Sequence, residues 1–162
     1  MNEYYNRDGI VVRHSTKKDV EYLKDHLRKS DIEEIWASNH VTPAEALEKG
    51  LDKSVFCCTV LNGNPIAMFG IVPETVLGHK ATVWFLASDD LKSIKRRFLR
   101  HSRRFIDMML EFYPFIQNYV DDRNTDSIEW LKFCGARIKS PEAYGIDKKL
   151  FRYFYFNGTG RK

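Results

Sequence analysis

The sequence predicts a single α/β domain built on a mixed β-sheet with helices on both faces. Short apolar segments typical of strands alternate with amphipathic helical patterns along the 162 residues. An Asn62–Gly63 dipeptide between two of these segments indicates a hairpin. A strand, a helix and a strand follow one another from Asn118 to Ile138. The chain is long enough for one substantial core and too short for two.

The N-terminal third predicts one strand followed by three helices. Ile10–Arg13 is an apolar run that is typical of a strand. Three helix starts are marked by a hydroxyl side chain with a carboxylate three positions later, at Thr16, Ser30 and Thr42. The apolar stripe of the first helix includes Leu27. We therefore expect helices over most of residues 16 to 51.

The middle of the chain predicts a hairpin, another strand and a long helix. Val55–Leu61 and Ile66–Val72 flank the Asn-Gly turn. Ala81–Ala87 has the apolar character of a buried strand. From Leu91 to Phe112, apolar residues recur at helical spacing while lysine and arginine occupy another face.

The C-terminal third predicts a short strand, a short helix and a final strand. Tyr119 and Val120 form the first strand, and the helix over Thr125–Phe133 stops before Gly135. Leu150–Phe156 is the last strand. We expect residues 156–162 to fray as a polar tail.

Composition excludes several classes of protein. The chain has no run of 18 apolar residues and no N-terminal signal pattern, so neither a membrane span nor secretion is expected. The net charge of +4 is mild. Cys57, Cys58 and Cys134 are an odd number of cysteines, which favours a reducing compartment. Adjacent cysteines on a strand point to opposite faces, so we expect no metal site.

Four segments carry a resemblance to a known family: Pro65–Pro73, Trp84–Leu91, Arg97–Leu110 and Asn118–Ala136. Asn124, an isoleucine four positions later, a short helix and Gly-Ala resemble the C-terminal half of GNAT-superfamily N-acetyltransferases. The chain is also similar to small GNAT-like proteins of tailed phages and prophages, which include internal virion proteins. The resemblance covers Val12 to about Phe156. It implies a single GNAT-like domain whose sheet splays into a central V-shaped cleft.

The resemblance implies acetyl-CoA, or CoA, as the cofactor. The family's pyrophosphate loop, Arg-Gly-x-Gly-Ile-Gly, aligns with Asp90–Lys95, where Ile94 matches and the arginine and all three glycines do not. Glycines let backbone N–H groups approach a phosphate closely, so this is a substantial departure. The cofactor-binding positions implied are the Ala87 and Ser88 backbone for the thioester, Lys92, Ser93, Ile94, Lys95 and Arg96 for the pyrophosphate, and Asn124 for the pantetheine arm.

The resemblance implies acetyl transfer to an amine by direct attack in a ternary complex. We expect Glu34, or Asp31, to relay the amine proton, and the acceptor to be an amine, for example on a host protein. The alternative is that these carboxylates are capping or solvated charges. Where the family carries a tyrosine that protonates the thiolate, this chain has Leu131. The alternative function is therefore a catalytically inactive GNAT-like virion or host-interaction protein, in the host cytoplasm or associated with the virion.

The segment Lys92–Arg104 contains seven lysine and arginine residues. It is a solvated face, a site for CoA phosphates, or a surface for a polyanion. Phe98 and Phe105 fall on the apolar stripe of the same helix, so they are expected to face the core and not to stack on bases. Nucleic acid is therefore an unlikely partner on the sequence alone.

Overall fold

Nine strands and five helices follow one another along residues 3–158, the part of the chain that the computed structural model describes. In chain order they are β1 (Glu3–Arg7), β2 (Ile10–His14), α1 (Lys17–Leu23), α2 (Lys29–Asn39), α3 (Pro43–Lys53), β3 (Phe56–Asn62), β4 (Asn64–Pro73), β5 (Lys80–Ala87), α4 (Leu91–Phe112), β6 (Phe115–Asp121), α5 (Thr125–Phe133), β7 (Arg137–Ile138), β8 (Glu142–Tyr144) and β9 (Lys149–Asn157). The predicted α/β class is confirmed.

The strands form one mixed sheet in the order β1-β2-β3-β4-β5-β6-β9-β7, with β8 also paired to β9. Every neighbouring pair is antiparallel except β5 and β6. Parallel neighbours cannot be joined by a tight turn, and here α4 supplies the long crossover between them. The sheet therefore has one parallel pair of strands at its centre, with antiparallel strands on both sides.

The two parallel strands separate soon after they begin. Their register holds for three pairs only, from Lys80↔Phe115 to Thr82↔Gln117. At the next position, Asn118 Nδ2 donates to the carbonyl oxygen of Val83 at 2.7 Å, so a side chain replaces the missing ladder bond. Beyond this point the strands diverge, which confirms the predicted V-shaped splay.

An apolar core lies on each face of the sheet. The larger core packs α4 and α5 against the strands, and the smaller one packs α1 and α3 on the other face. Cys58 belongs to the larger core and Cys57 to the smaller one, so the two cysteines point to opposite faces as predicted. Helices on both faces are thereby confirmed.

The predicted helix starts are confirmed at Thr16 and Thr42 and wrong at Ser30. Thr16 and Asp19 form a reciprocal capping box, and Thr42 accepts a hydrogen bond from the Glu45 backbone N–H. In α2 the N-cap is Arg28 instead, because its backbone N–H donates to the Ala87 carbonyl and holds it in an extended conformation.

The first helix is shorter than predicted. It ends at Leu23, and Leu27 lies in a separate bridge to Ser88. This bridge continues the contact between the start of α2 and the end of β5. Leu27 still joins the smaller core, so its apolar character was interpreted correctly and its helical position was not.

The first hairpin of the structure was not predicted. β1 and β2 are joined at Asp8 and Gly9, whose φ angles of 56° and 78° are both positive. An Asp-Gly pair favours this turn, so the signal was present. At the other end, β9 continues through Asn157 and buries Phe156, whereas residues 159–162 of the predicted frayed tail lie outside the described residues.

Among the helices of residues 3–158, none combines the length and apolar character needed to cross a membrane. Within the same residues, no group of three His, Cys, Asp or Glu side chains is arranged to hold a metal ion.

We predict that Asn118→Ala lowers the free energy of unfolding by about 1–2 kcal/mol, because the Val83 carbonyl and the Tyr119 N–H both lose a partner where the strands separate. Urea unfolding followed by circular dichroism measures the change. Asn6→Ala is the matched control, since that side chain is exposed and we expect a change within about 0.5 kcal/mol. Equal effects of the two variants would contradict the assignment.

Candidate functional site

The separation of β5 and β6 creates a cleft of about 830 Å³. Helices α2 and α3 line it from one face of the sheet, and α4 and α5 line it from the other. A cavity of this size suits a small-molecule ligand. This cleft is therefore the place where the predicted site residues are expected to meet.

Glu34 lies on the α2 wall of the cleft. Its Oε1 accepts a hydrogen bond from the Asp121 backbone N–H at 2.8 Å, and its Oε2 accepts one from Asn124 Nδ2 at 3.1 Å. Burial raises the pKa of its carboxyl from 4.5 to about 7. The nearby negative charge of Asp31 acts in the same direction. A carboxyl group with this pKa can both accept and donate a proton near neutral pH.

Asp31 lies one helical turn before Glu34 and is 2% exposed. Arg28 donates two hydrogen bonds to its carboxylate, at 2.8 and 3.0 Å, and the Ala87 backbone N–H donates a third at 2.9 Å. Burial raises the pKa of this carboxyl, while Arg28 opposes the shift. Since both oxygens are already bonded, Asp31 anchors α2 to the end of β5.

The two carboxylates together bridge the V. Asp31 holds the last residue of β5, and Glu34 holds the last residue of β6. Residues three apart on a helix lie on one face. One turn of α2 therefore spans the open ends of the two separated strands.

The backbone groups expected to orient a thioester are already bonded. The Ala87 N–H donates to Asp31, its carbonyl accepts from Arg28, and the Ser88 N–H donates to the Ile66 carbonyl at 2.8 Å. Successive strand residues direct their backbone groups to alternate sides. The N–H and C=O of Phe85 therefore point into the cleft, which the sequence analysis did not identify.

The start of α4 differs from an open anion-binding loop. The backbone N–H groups of its first three residues each donate to the carbonyl three positions earlier, at 3.1–3.2 Å. Such a tight turn satisfies donors that would otherwise bind an anion. Asp89 and Asp90 precede this turn and add negative charge.

The predicted pyrophosphate residues do not act as one group. Lys92 and Lys95 line the cleft, whereas Ser93 and Arg96 do not. The Ser93 hydroxyl donates to the Asp90 carbonyl at 2.7 Å, and Ile94 is buried in the larger core. Only the two lysines remain available at the cleft.

Asn124, the predicted pantetheine ligand, is the N-cap of α5. Its Oδ1 accepts from the Ser127 backbone N–H at 3.3 Å, and its Nδ2 donates to Glu34. The side chain thus joins α5 to α2. Leu131, in place of the family's tyrosine, is buried and supplies no proton.

The loop between β8 and β9 packs against the end of α2, a contact that was not predicted. The Ile146 and Asp147 backbone N–H groups donate to free carbonyls at the end of α2, at 3.0 and 3.2 Å. Gly145 has a φ of 76° and packs so closely that an added Cβ would lie 2.6 Å from Ser38 Cα. Gly145 is the residue in the sequence that could have indicated this close packing. Its neighbour Tyr144 lines the cleft.

We predict that Glu34 makes stability fall as pH rises. A carboxyl whose pKa is higher in the folded state binds more protons when folded, so it stabilises the fold below about pH 4.5 and loses that contribution as pH rises through about 7. From about pH 5 to about pH 8, the free energy of unfolding of wild type should fall by roughly 2 kcal/mol more than that of Glu34→Gln. Urea unfolding at both pH values measures this.

Glu33→Gln is the control for that experiment, because Glu33 lies on the same helix with an exposed side chain. It should keep the wild-type pH dependence. An unchanged pH dependence in Glu34→Gln would show that Glu34 titrates as an ordinary surface carboxyl.

Solved acetyltransferases share this fold. A ribosomal-protein-S5-alanine acetyltransferase from Vibrio fischeri superposes with a TM-score of 0.70 and 14% identity, with both chains fully covered. The aminoglycoside acetyltransferase AAC(6')-Ib, in complex with ribostamycin and coenzyme A, gives 0.67 and 17% identity, covering 96% of this chain and 99% of its own. Spermidine N-acetyltransferase from Vibrio cholerae, in complex with CoA and spermine, gives 0.61 and 13%, covering 94% and 98%. The fold is therefore that of the GNAT acetyltransferases.

Sequence comparison gives a nearer relative. The probable scaffold protein gp13 of Escherichia phage T7 is 32% identical over 117 residues, which are 67% of this chain and 80% of the relative. The family model described as "Bacteriophage T7, probable scaffold protein Gp13" matches residues 66–141, from β4 through the segment after β7. This match spans both arms of the V and the helix between them. The chain belongs to the family of the phage T7 probable scaffold protein gp13, on a GNAT fold.

Proposed function

We propose that this chain is a phage assembly protein whose GNAT cleft does not bind acetyl-CoA through the usual pyrophosphate loop. One observation carries the proposal: the N–H groups at the start of α4 are already hydrogen-bonded within the chain. The name of the T7 relative, a probable scaffold protein, supports the assembly role. On this basis the protein acts in the host cytoplasm during assembly or with the virion.

Most of the groups expected to bind acetyl-CoA are already hydrogen-bonded within the chain. The groups expected to bind its three parts are each engaged elsewhere: the Ala87 and Ser88 backbone, the first turn of α4, and Asn124. Binding a pyrophosphate would require breaking this turn beside Asp89 and Asp90. Lys92 and Lys95 are the two groups in favour, and lysines on an exposed helix start supply charge without fixed donor geometry.

We predict that wild-type protein gives no binding heat in calorimetric titration with acetyl-CoA at concentrations up to about 1 mM. The matched variant grafts the family loop onto the chain, as Asp90→Arg, Leu91→Gly, Ser93→Gly and Lys95→Gly. Freed N–H groups should give the grafted protein measurable heat if the loop is the missing part. Micromolar binding by wild type, roughly −8 kcal/mol, would contradict the proposal.

A second candidate, N-acyl transfer, is favoured by Glu34. Its carboxyl lies in the cleft with a pKa of about 7, and it has no cation bonded to it among the described residues. In this role Glu34 accepts the proton that an amine loses on becoming a nucleophile, and Asp31 holds α2 in position. An acceptor amine on a host protein stays a prediction.

The second candidate is tested by thiol release from acetyl-CoA in the presence of spermine or a lysine peptide. If it is correct, wild type turns over and Glu34→Gln is slower by about 100-fold or more. Glu33→Gln, with its exposed side chain, should keep the wild-type rate. Absence of turnover in wild type would remove this candidate and leave the assembly role.

A further inference from the structure

The outer face of α4 carries a continuous row of cations, which we name the basic ridge: Lys92, Arg96, Arg100, Arg103 and Arg104. All five side chains are exposed; Lys92 also lines the cleft, and the Arg103 guanidinium donates to the Phe133 carbonyl and lies over the Phe133 ring. The buried stripe of the same helix lies opposite them and consists of Ile94, Phe98, Ser102, Phe105, Ile106 and Met109. From Lys92 to Arg104 the ridge extends for about 18 Å, at 1.5 Å per residue.

Three cations of the basic ridge have no carboxylate partner in the described structure. Among residues 3–158, no carboxylate lies within ion-pairing distance of Lys92, Arg96 or Arg100. The segment Lys92–Arg104 holds seven cations and no carboxylate, so the rest of a chain of net +4 carries −3. The positive charge is therefore concentrated on the first half of α4.

The pKa of His101 responds to these positive charges. Its pKa is lowered, first by partial desolvation and then by the positive charges of Arg7, Arg100 and Arg104. Arg7 comes from β1, so the positive surface extends beyond the helix itself. A second element thus contributes to the same patch.

The surface suits a polyanion better than a protein partner. Protein interfaces need a buried apolar centre with aromatic anchors. Within the described residues, no large hydrophobic side chain at positions 92–104 is exposed, and the exposed ring of Phe133 is covered by Arg103 of the ridge. Phosphate contacts require charge alone, and a duplex carries one phosphate per 3.4 Å along each strand. The ridge matches about five such phosphates.

We propose that the basic ridge binds double-stranded nucleic acid through its phosphate backbone, without reading sequence. Phe98 and Phe105 are 5% and 4% exposed, so they cannot stack on bases. The sequence-based expectation against nucleic acid rested on those two residues, and backbone binding does not need them. Arg96, Arg100 and Arg104 do not line the cleft, so this binding is compatible with either function of the cleft.

The test uses fluorescence anisotropy of a labelled DNA duplex of about 24 base pairs, at about 50 mM to about 200 mM salt. Wild type should bind at micromolar concentrations at the low end, with a slope of log K against log salt of about −4. Arg96→Gln with Arg100→Gln should weaken binding about tenfold or more and make the slope less steep by about two.

Lys17→Gln with Lys18→Gln is the matched control, because both lysines are exposed on α1 and the net charge changes equally. The control should bind like wild type. Three results would each overturn the proposal: absence of binding at low salt, equal weakening by the two double variants, or poly-glutamate competing as well as unlabelled duplex at equal charge. The last result would assign the ridge to an acidic protein.

Discussion

The separation of β5 from β6 after three paired residues is the constraint on which the rest of the structure depends. Two central strands that stop pairing leave polar backbone groups facing an open space, and such groups are costly unless bonded. Asn118 satisfies the first of them with its side chain. One turn of α2 satisfies the last of them. Asp31 accepts a hydrogen bond from the last residue of β5, and Glu34 accepts one from the last residue of β6. The width of the cleft is thereby fixed by helix geometry.

These two carboxylates lie three residues apart on α2 and differ in their bonding partners. Arg28 forms an ion pair with Asp31 and opposes the rise that burial causes in the pKa of that carboxyl, while the pair anchors α2. Glu34 receives hydrogen bonds from neutral amides only, so burial without a cation raises its pKa. Burial thus raises the pKa of both carboxyls, and at Asp31 a bonded arginine opposes the shift.

Local signals in the sequence predicted much of the fold. The helix Thr125–Phe133 has the predicted bounds because its cap and its stop are encoded within a few residues. The partners of Glu34 could not be predicted, since Glu34 and Asp121 are 87 residues apart and meet only in the finished sheet. The start of α2 was misassigned for the same reason, because a contact to β5 overrides the local capping pattern at Ser30. The splay itself was expected from family resemblance.

In α4 the groups that can attract anions are cationic side chains and not the backbone N–H groups at the start of the helix. A glycine-rich helix start binds one phosphate group through N–H donors of fixed geometry, which suits a small cofactor. In this chain the tight first turn uses those donors internally, and the uncompensated charge lies along the outer face. Exposed arginines on a straight helix accept many phosphates at variable positions, which suits a polymer and discriminates poorly among small anions. The inner stripe meanwhile packs the larger core. Changes on the outer face of α4 are therefore expected to alter anion binding with little effect on the fold.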